Sequence, residues 1–245
     1  MGMQLGGCLL AAMLLAGCGG GGSGGDATQG TRTSTALEAV APTTGTFTGT
    51  VDFEAGYTEA LTGTAGPIAI EGFREFDGTQ VFQESWRNAV ASSDLFGTSY
   101  RSVQFGTALF SRDPDGSFSG ALFHEIAPVR IHGVKWQDGT VTIATPTGTL
   151  PPAGRVGDRG DFFTYVTYTD IERTMVAARG TTTWSIEADT AQAVFLCFDT
   201  TEQGDEGTST SQECAQAGAT GHFNGRGRFV FHDANGARNV FNRGP

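Results

Sequence analysis

From Gly45 onward the chain alternates apolar and polar positions with a period of two. Phe47, Gly49, Val51 and Phe53 share one face of a predicted strand, with Thr46, Thr48, Thr50 and Asp52 on the other. Four hairpins follow from turn chemistry, because Asp or Asn before Gly supplies the positive φ of a tight turn. Ile68 to Phe76 and Thr79 to Trp86 flank Asp77-Gly78, and Val103 to Phe110 and Phe118 to Ile126 flank Arg112-Asp113-Pro114-Asp115-Gly116. Val129 to Trp136 and Thr140 to Thr145 flank Asp138-Gly139, and Phe223 to Phe231 and Ala237 to Phe241 flank Asp233-Ala234-Asn235-Gly236. Phe162 to Tyr168, Arg173 to Ala178, Thr182 to Ala188 and Ala193 to Phe198 are rich in β-branched and aromatic residues and read as further strands. Only Arg87 to Asp94 is a candidate for a short helix.

About a dozen short antiparallel strands joined by tight turns predict an all-β domain, either a sandwich or a barrel. The first strand (Thr46 to Phe53) and the last (Phe223 to Phe231) both carry Phe and Gly at alternate positions. Pairing them would remove two exposed edges, which favours a barrel-like sheet. The stretch Pro146 to Asp161 has three prolines and several glycines, and is the one candidate seam within residues 45–245.

The residues before this domain have a different character. Leu9 to Leu15 form an apolar run too short to span a bilayer of roughly 30 Å. The run ends in Leu15-Ala16-Gly17-Cys18, which resembles the lipobox of bacterial lipoproteins, although Met1 to Gly7 lack the usual Lys or Arg. The resemblance implies removal of residues 1–17 as a signal peptide and acylation of Cys18. Gly19 rather than Asp follows the cysteine, which by the same likeness implies the outer membrane. Two or three acyl chains, at about 0.8 kcal/mol per buried CH2, would hold the protein stably to the membrane. Residues 18–44 then read as a tether, Gly-rich at first and Thr-rich later, with too few apolar residues to order itself.

Charge narrows the partners. The net charge is -11 and the first 25 residues contribute none of it, so the domain is acidic and nucleic acid is not an expected partner. With 38% hydrophobic residues and 18 Phe the domain can bury a core, whereas 37 Gly disfavour long helices. Once Cys8 leaves with the signal peptide and Cys18 is acylated, Cys197 and Cys214 remain. An oxidising compartment would join them as a disulfide, and two free thiols are the alternative. The intervening Asp199 to Glu213, rich in Thr, Ser, Gly and acid, reads as a flexible loop.

The candidate chemistry is sparse. His124-Glu125 begins a zincin-like motif, but Pro128 stands where the second histidine belongs and the segment reads as strand, not helix. His124 and His132 could meet across a turn; His222 and His232 sit at opposite ends of one strand, about 30 Å apart. Asp113-Pro114-Asp115-Gly116 lacks the further ligands of a calcium loop. Gly21-Gly22-Ser23-Gly24-Gly25 matches a nucleophile elbow only formally. Arg159-Gly160-Asp161 matches an integrin-binding tripeptide, but three residues match by chance too easily and the flanking Gly157 and Asp158 suit a plain turn. Glu71, Glu75, Glu84 and Glu125 could supply two carboxylates to a glycan hydrolase, which needs them about 5 to 9 Å apart. Trp86, Trp136 and Trp184 could line a ligand cavity, with a packed core as the plainer reading.

No catalytic constellation, metal set or cofactor motif emerges. The expected function is therefore a binding or structural module of the cell envelope, held to the membrane by its acyl anchor. Its partner would be a protein, a glycan or a small apolar ligand. The lipobox, Gly-rich tether and Phe/Gly hairpins are also similar in style to transferrin-binding-protein-like surface lipoproteins. A glycan hydrolase and an accessory subunit of an outer-membrane assembly are the alternatives.

Overall fold

The structure is a computed structural model that describes residues 46–62, 68–74, 78–93, 100–110, 117–126, 128–136, 138–232, 234–235 and 238–243. Its elements are β1 (Val51–Asp52), α1 (Glu54–Thr62), β2 (Ile68–Arg74), β3 (Gly78–Ser93), β4 (Tyr100–Phe110), β5 (Ser117–Ile126) and β6 (Val129–Trp136). There follow β7 (Val141–Pro146), β8 (Ala153–Gly154), β9 (Arg159–Tyr168), β10 (Val176–Ala188) and β11 (Ala193–Gly204). The last three are β12 (Gly207–Gly218), β13 (Phe223–His232) and β14 (Arg238–Arg243).

All strands but β1 and β8 form one closed antiparallel barrel, in the order β10-β11-β12-β13-β14-β2-β3-β4-β5-β6-β7-β9. The four hairpins expected from turn chemistry are all present. Their registers run Arg74↔Gly78, Leu109↔Ser117, Lys135↔Val141 and His232↔Arg238 nearest each turn. Closure departs from the expectation. The segment Thr46 to Phe53 is not a barrel strand; only Val51 and Asp52 pair, and they pair with Gly154 and Ala153 of β8. β14 closes instead on β2, from Asn239↔Arg74 to Arg243↔Ile70, and β9 lies between β7 and β10.

Two further expectations are corrected. Arg87 to Ser93 continues strand β3, so the one predicted helix is absent, while an unpredicted helix, α1, lies at Glu54–Thr62. Asp52 starts it, accepting the Glu54 amide at 3.1 Å, and the negative Glu54 complements the helix N-terminus. Asp199 to Glu213 is no loop: β11 and β12 run in unbroken register from Ala193↔Gly218 to Gly204↔Gly207, turning through Asp205 and Glu206. The stretch Pro146 to Asp161 carries β8 and places Leu150 in the same core as the barrel strands.

Residues 46–62 seal one mouth of the barrel, the mouth where β7 ends and β9, β11 and β13 begin. Phe47, Val51, Phe53 and Tyr57 are buried in one cluster with Ile186, Val194, Leu196, Ala217 and Phe223 from the barrel wall. The Phe53, Tyr57 and Phe223 rings form a mutual cluster, Phe53 lying 5.8 Å from Tyr57 and 6.4 Å from Phe223, and the latter two 6.2 Å apart. Its amide donates to Pro152 O at 2.8 Å, and the Tyr57 hydroxyl donates to Pro151 O at 3.2 Å. Burial pushes the Tyr57 hydroxyl far above its ordinary pKa, so it stays a donor. The seal also needs Gly221, whose φ of 78° suits glycine and whose absent side chain leaves room for the Asp52 carbonyl.

Truncating Phe53 removes the centre of this seal. Phe53→Ala should cost about 3 to 5 kcal/mol, as for other fully buried Phe residues. Urea unfolding followed by tryptophan fluorescence measures it, and a loss under 1 kcal/mol would mean that the segment contributes little to the fold.

Candidate functional site

Register shows which side chains face the barrel interior. Adjacent partners in an antiparallel ladder point to the same side, so inward residues form rungs that can be followed from the sealed mouth to the hairpin end. Nearest the seal the rungs are apolar: Val194 with Ala217, then Ile186, Leu196 and Ala215. The next joins Trp184, Phe198, Glu213 and Phe229 across β10 to β13. Beyond it Thr182, Thr200 and Ser211 place hydroxyls at one level, and beyond those Tyr165, Gly180 and Glu202 share a rung. Polarity thus rises from the seal towards the hairpin end.

These inward polar groups are buried and bonded to each other. Thr182 and Thr200 hydroxyls are 2.9 Å apart, those of Thr142 and Thr167 3.1 Å apart. The Tyr165 hydroxyl donates to Glu202 Oε2 at 2.9 Å. Gly180 stands between them, and a β-carbon there would overlap the Tyr165 ring. Its missing side chain lets the ring cross β10 and reach the carboxylate on β11.

The predicted tryptophans divide. Trp136 and Trp184 both face inward and are buried, with Trp136 Nε1 3.4 Å from Thr142 Oγ1 and Trp184 Nε1 buried with no hydrogen-bond partner. They pack in the core, the plainer of the two readings. Trp86 lies in β3, opposite Phe105 of β4, and its side chain is outside the described residues, as are those of Glu71 and Glu84. Glu75, Cys18 and the Asp113 to Gly116 turn also fall outside them.

Other candidates fall apart on geometry. His132 Nε2 donates to Glu125 Oε1 at 2.8 Å, and Arg130 lies 3.7 Å from the other oxygen of the same carboxylate. His124 is instead buried, opposite Ile131 across a register shift, so the two histidines do not converge. Among the described residues the buried carboxylates are Glu202 and Glu213, which the sequence did not single out. Glu202 pairs with Ser209 and Glu213 with Phe198, an offset of four residues that puts them on different rungs, their backbones about 13 Å apart at 3.3 Å per residue.

Cys197 and Cys214 form the disulfide that their pairing suggested, directly opposite one another on β11 and β12. They face outward beneath a polar cover. Gln212 Nε2 donates to Asp199 at 3.0 Å and Glu187 at 3.2 Å, while Arg228 Nη2 donates to Glu187 at 2.6 Å and lies above the Phe195 ring. Partial burial, reinforced by the charge of Glu187, raises the Asp199 pKa against the hydrogen bond from Gln212. Glu187 and the two sulfurs have ligand atoms within 4.8 Å of one another. The bridge consumes both thiolates and Arg228 occupies the carboxylate, so this is a covered disulfide rather than a cation site.

Towards the hairpin end of β10 to β12 the outward side chains are polar: Arg179, Thr181, Thr201, Gln203, Thr208 and Thr210. Ile143 of β7, Val166 of β9 and Val230 of β13 also face outward and are partly buried. No helix among the described residues is long and apolar enough to cross a membrane. No protein-family model, curated protein or solved structure matches the chain.

Two measurements check these contacts. The double variant Cys197→Ser/Cys214→Ser should lose about 3 kcal/mol, the amount expected for a bridge of this sequence separation, and reductant should destabilise the wild type equally. Tyr165→Phe and Gly180→Val should each lose about 2 kcal/mol in urea, because both take the same hydrogen bond from a buried carboxylate. A neutral Tyr165→Phe would show that Glu202 does not need this donor.

Proposed function

We propose that the protein is an outer-membrane lipoprotein, acylated at Cys18, whose barrel is a binding or structural module and not an enzyme. The observation that carries this reading is the arrangement at the sealed mouth. The chain that leaves the tether enters the barrel as residues 46–62 and closes that mouth with Phe53, Tyr57 and Phe223. Acylation at Cys18 would tether the barrel from the sealed end and leave the hairpin end free. The acidic net charge fits a domain held beside a membrane by acyl chains alone. The packed described interior favours binding or scaffolding over hydrolysis.

Detergent phase partition of the full chain and its Cys18→Ala variant tests the anchor. Wild type should enter the detergent phase and sediment with outer membranes, and Cys18→Ala should move to the aqueous phase. A variant that remains with the membrane overturns the lipoprotein reading. Proteinase K added to intact and lysed cells then separates a surface domain, digested in both, from a periplasmic one, digested only after lysis.

A further inference from the structure

The free end of the barrel is not uniformly polar. Among the described residues the exposed large hydrophobic side chains are Ile171, Met175 and Val176, at 36%, 61% and 36% exposure; Ile171 and Met175 lie in the β9–β10 connection at the hairpin end and Val176 opens β10. Elsewhere in the described barrel, apolar side chains of this size are buried or partly buried. Three such residues at the tip of one hairpin form a compact apolar knob, directed away from the sealed mouth.

The tip is held in shape by its own hydrogen bonds. Asp170 Oδ1 accepts the Thr174 amide at 3.0 Å, and its Oδ2 accepts the Thr174 hydroxyl at 2.7 Å. The Thr169 amide donates to Met175 O at 3.0 Å, and Arg173 turns the chain with a φ of 61°. The bonds from Thr174 hold the Asp170 pKa below the usual carboxylate range, so the turn keeps its ionised brace at neutral pH. A braced loop loses little conformational freedom on docking.

The surroundings of the knob select its partner. The turns that share this end carry Glu172 beside the knob, Asp205 and Glu206 between β11 and β12, and Asp138 between β6 and β7, all exposed. Exposed Arg173, next to Glu172, offsets one of these charges and leaves the rim acidic. Anionic lipid headgroups would be repelled by this rim, and so would the same acidic end of a second copy. A surface that buries the knob and answers the rim has an apolar pocket edged by Lys or Arg.

We propose that the β9–β10 tip is a docking knob that inserts Met175, flanked by Ile171 and Val176, into an apolar pocket with a basic edge on a partner protein. This deepens the binding-module reading and does not depend on the acyl anchor, which detergent partition scores separately.

The test places the photo-crosslinking residue benzoylphenylalanine in the full chain in its own cells. One position is Met175, and the control is Ala191, exposed in the β10–β11 turn at the sealed end. Position 175 should give one discrete protein adduct and position 191 none, with the crosslinked partner peptide carrying Lys or Arg near the attachment. Adding Glu172→Lys and Glu206→Lys should lower the yield at 175 at least tenfold, with an unchanged thermal transition and no free thiol showing that the barrel is intact. No adduct at 175, equal adducts at both positions, a lipid adduct, a dimer of this chain, or indifference to charge reversal each overturns the proposal.

Discussion

A strand at the edge of a sheet leaves its N–H and C=O groups without partners, and closing the sheet on itself removes both edges together. Closure has a volume consequence. A ring of about eight strands is filled by its own side chains, and wider rings leave a lumen unless something enters it. Here the ring contains twelve strands, and the chain that precedes them supplies part of the filling. Phe47, Val51, Phe53 and Tyr57 are not decoration on a finished barrel; they complete its core at one mouth. The Gly221 turn, the β1–β8 pairing and the cap at Asp52 all serve to seat that segment.

Filling one end makes the two ends chemically different. Near the seal the rungs are aliphatic and aromatic, and water has no place among them. Towards the hairpin end the inward positions become Thr, Ser, Tyr and Glu, whose burial is tolerable only because each finds a hydrogen bond. Thr182 with Thr200 and Tyr165 with Glu202 meet that condition across neighbouring strands, and the latter requires a glycine between them. Such pairs specify register, because a one-residue slip would turn Glu202 outward and its neighbours Thr201 and Gln203 inward.

This gradient explains what could be read from the residues alone. The four hairpins were legible because Asp-Gly and Asn-Gly turns are local and the flanking strands carry apolar residues on one face. β11 and β12 were not, because beyond Phe198 their inward positions are Thr200, Glu202 and Ser211, and the apolar period of two fades while the strand continues. The segment Thr46 to Phe53 misled in the opposite sense. Its alternation is real, but Phe47, Val51 and Phe53 are buried against a barrel mouth and not within a ladder. The short polar α1 has no strong apolar face to announce it. Cys197 and Cys214 were legible by parity, and Trp136 and Trp184 as inward aromatics. Glu202 and Glu213 were hidden among residues that composition marks as loop, although Thr-rich alternation around them was a strand signal.

The same gradient bears on where activity can reside. Phe53, Tyr57 and Phe223 fill the core at one mouth, and the described interior is occupied by packed side chains, some of them bonded to each other. On the outer wall the most elaborate feature, the cover over the disulfide, is bonded within itself through Gln212 and Arg228. Among the described residues, the large apolar side chains most exposed to water are concentrated at one braced turn. Hydrophobic surface of this kind gains free energy only when something covers it. Among the described residues, the exposure at Ile171 and Met175 follows from the position of their turn beyond the ladder, with Val176 on the ladder's first rung. The physical asymmetry of the barrel, filled at the mouth where residues 46–62 enter and braced and apolar at the other end, points the search for a partner to the hairpin end.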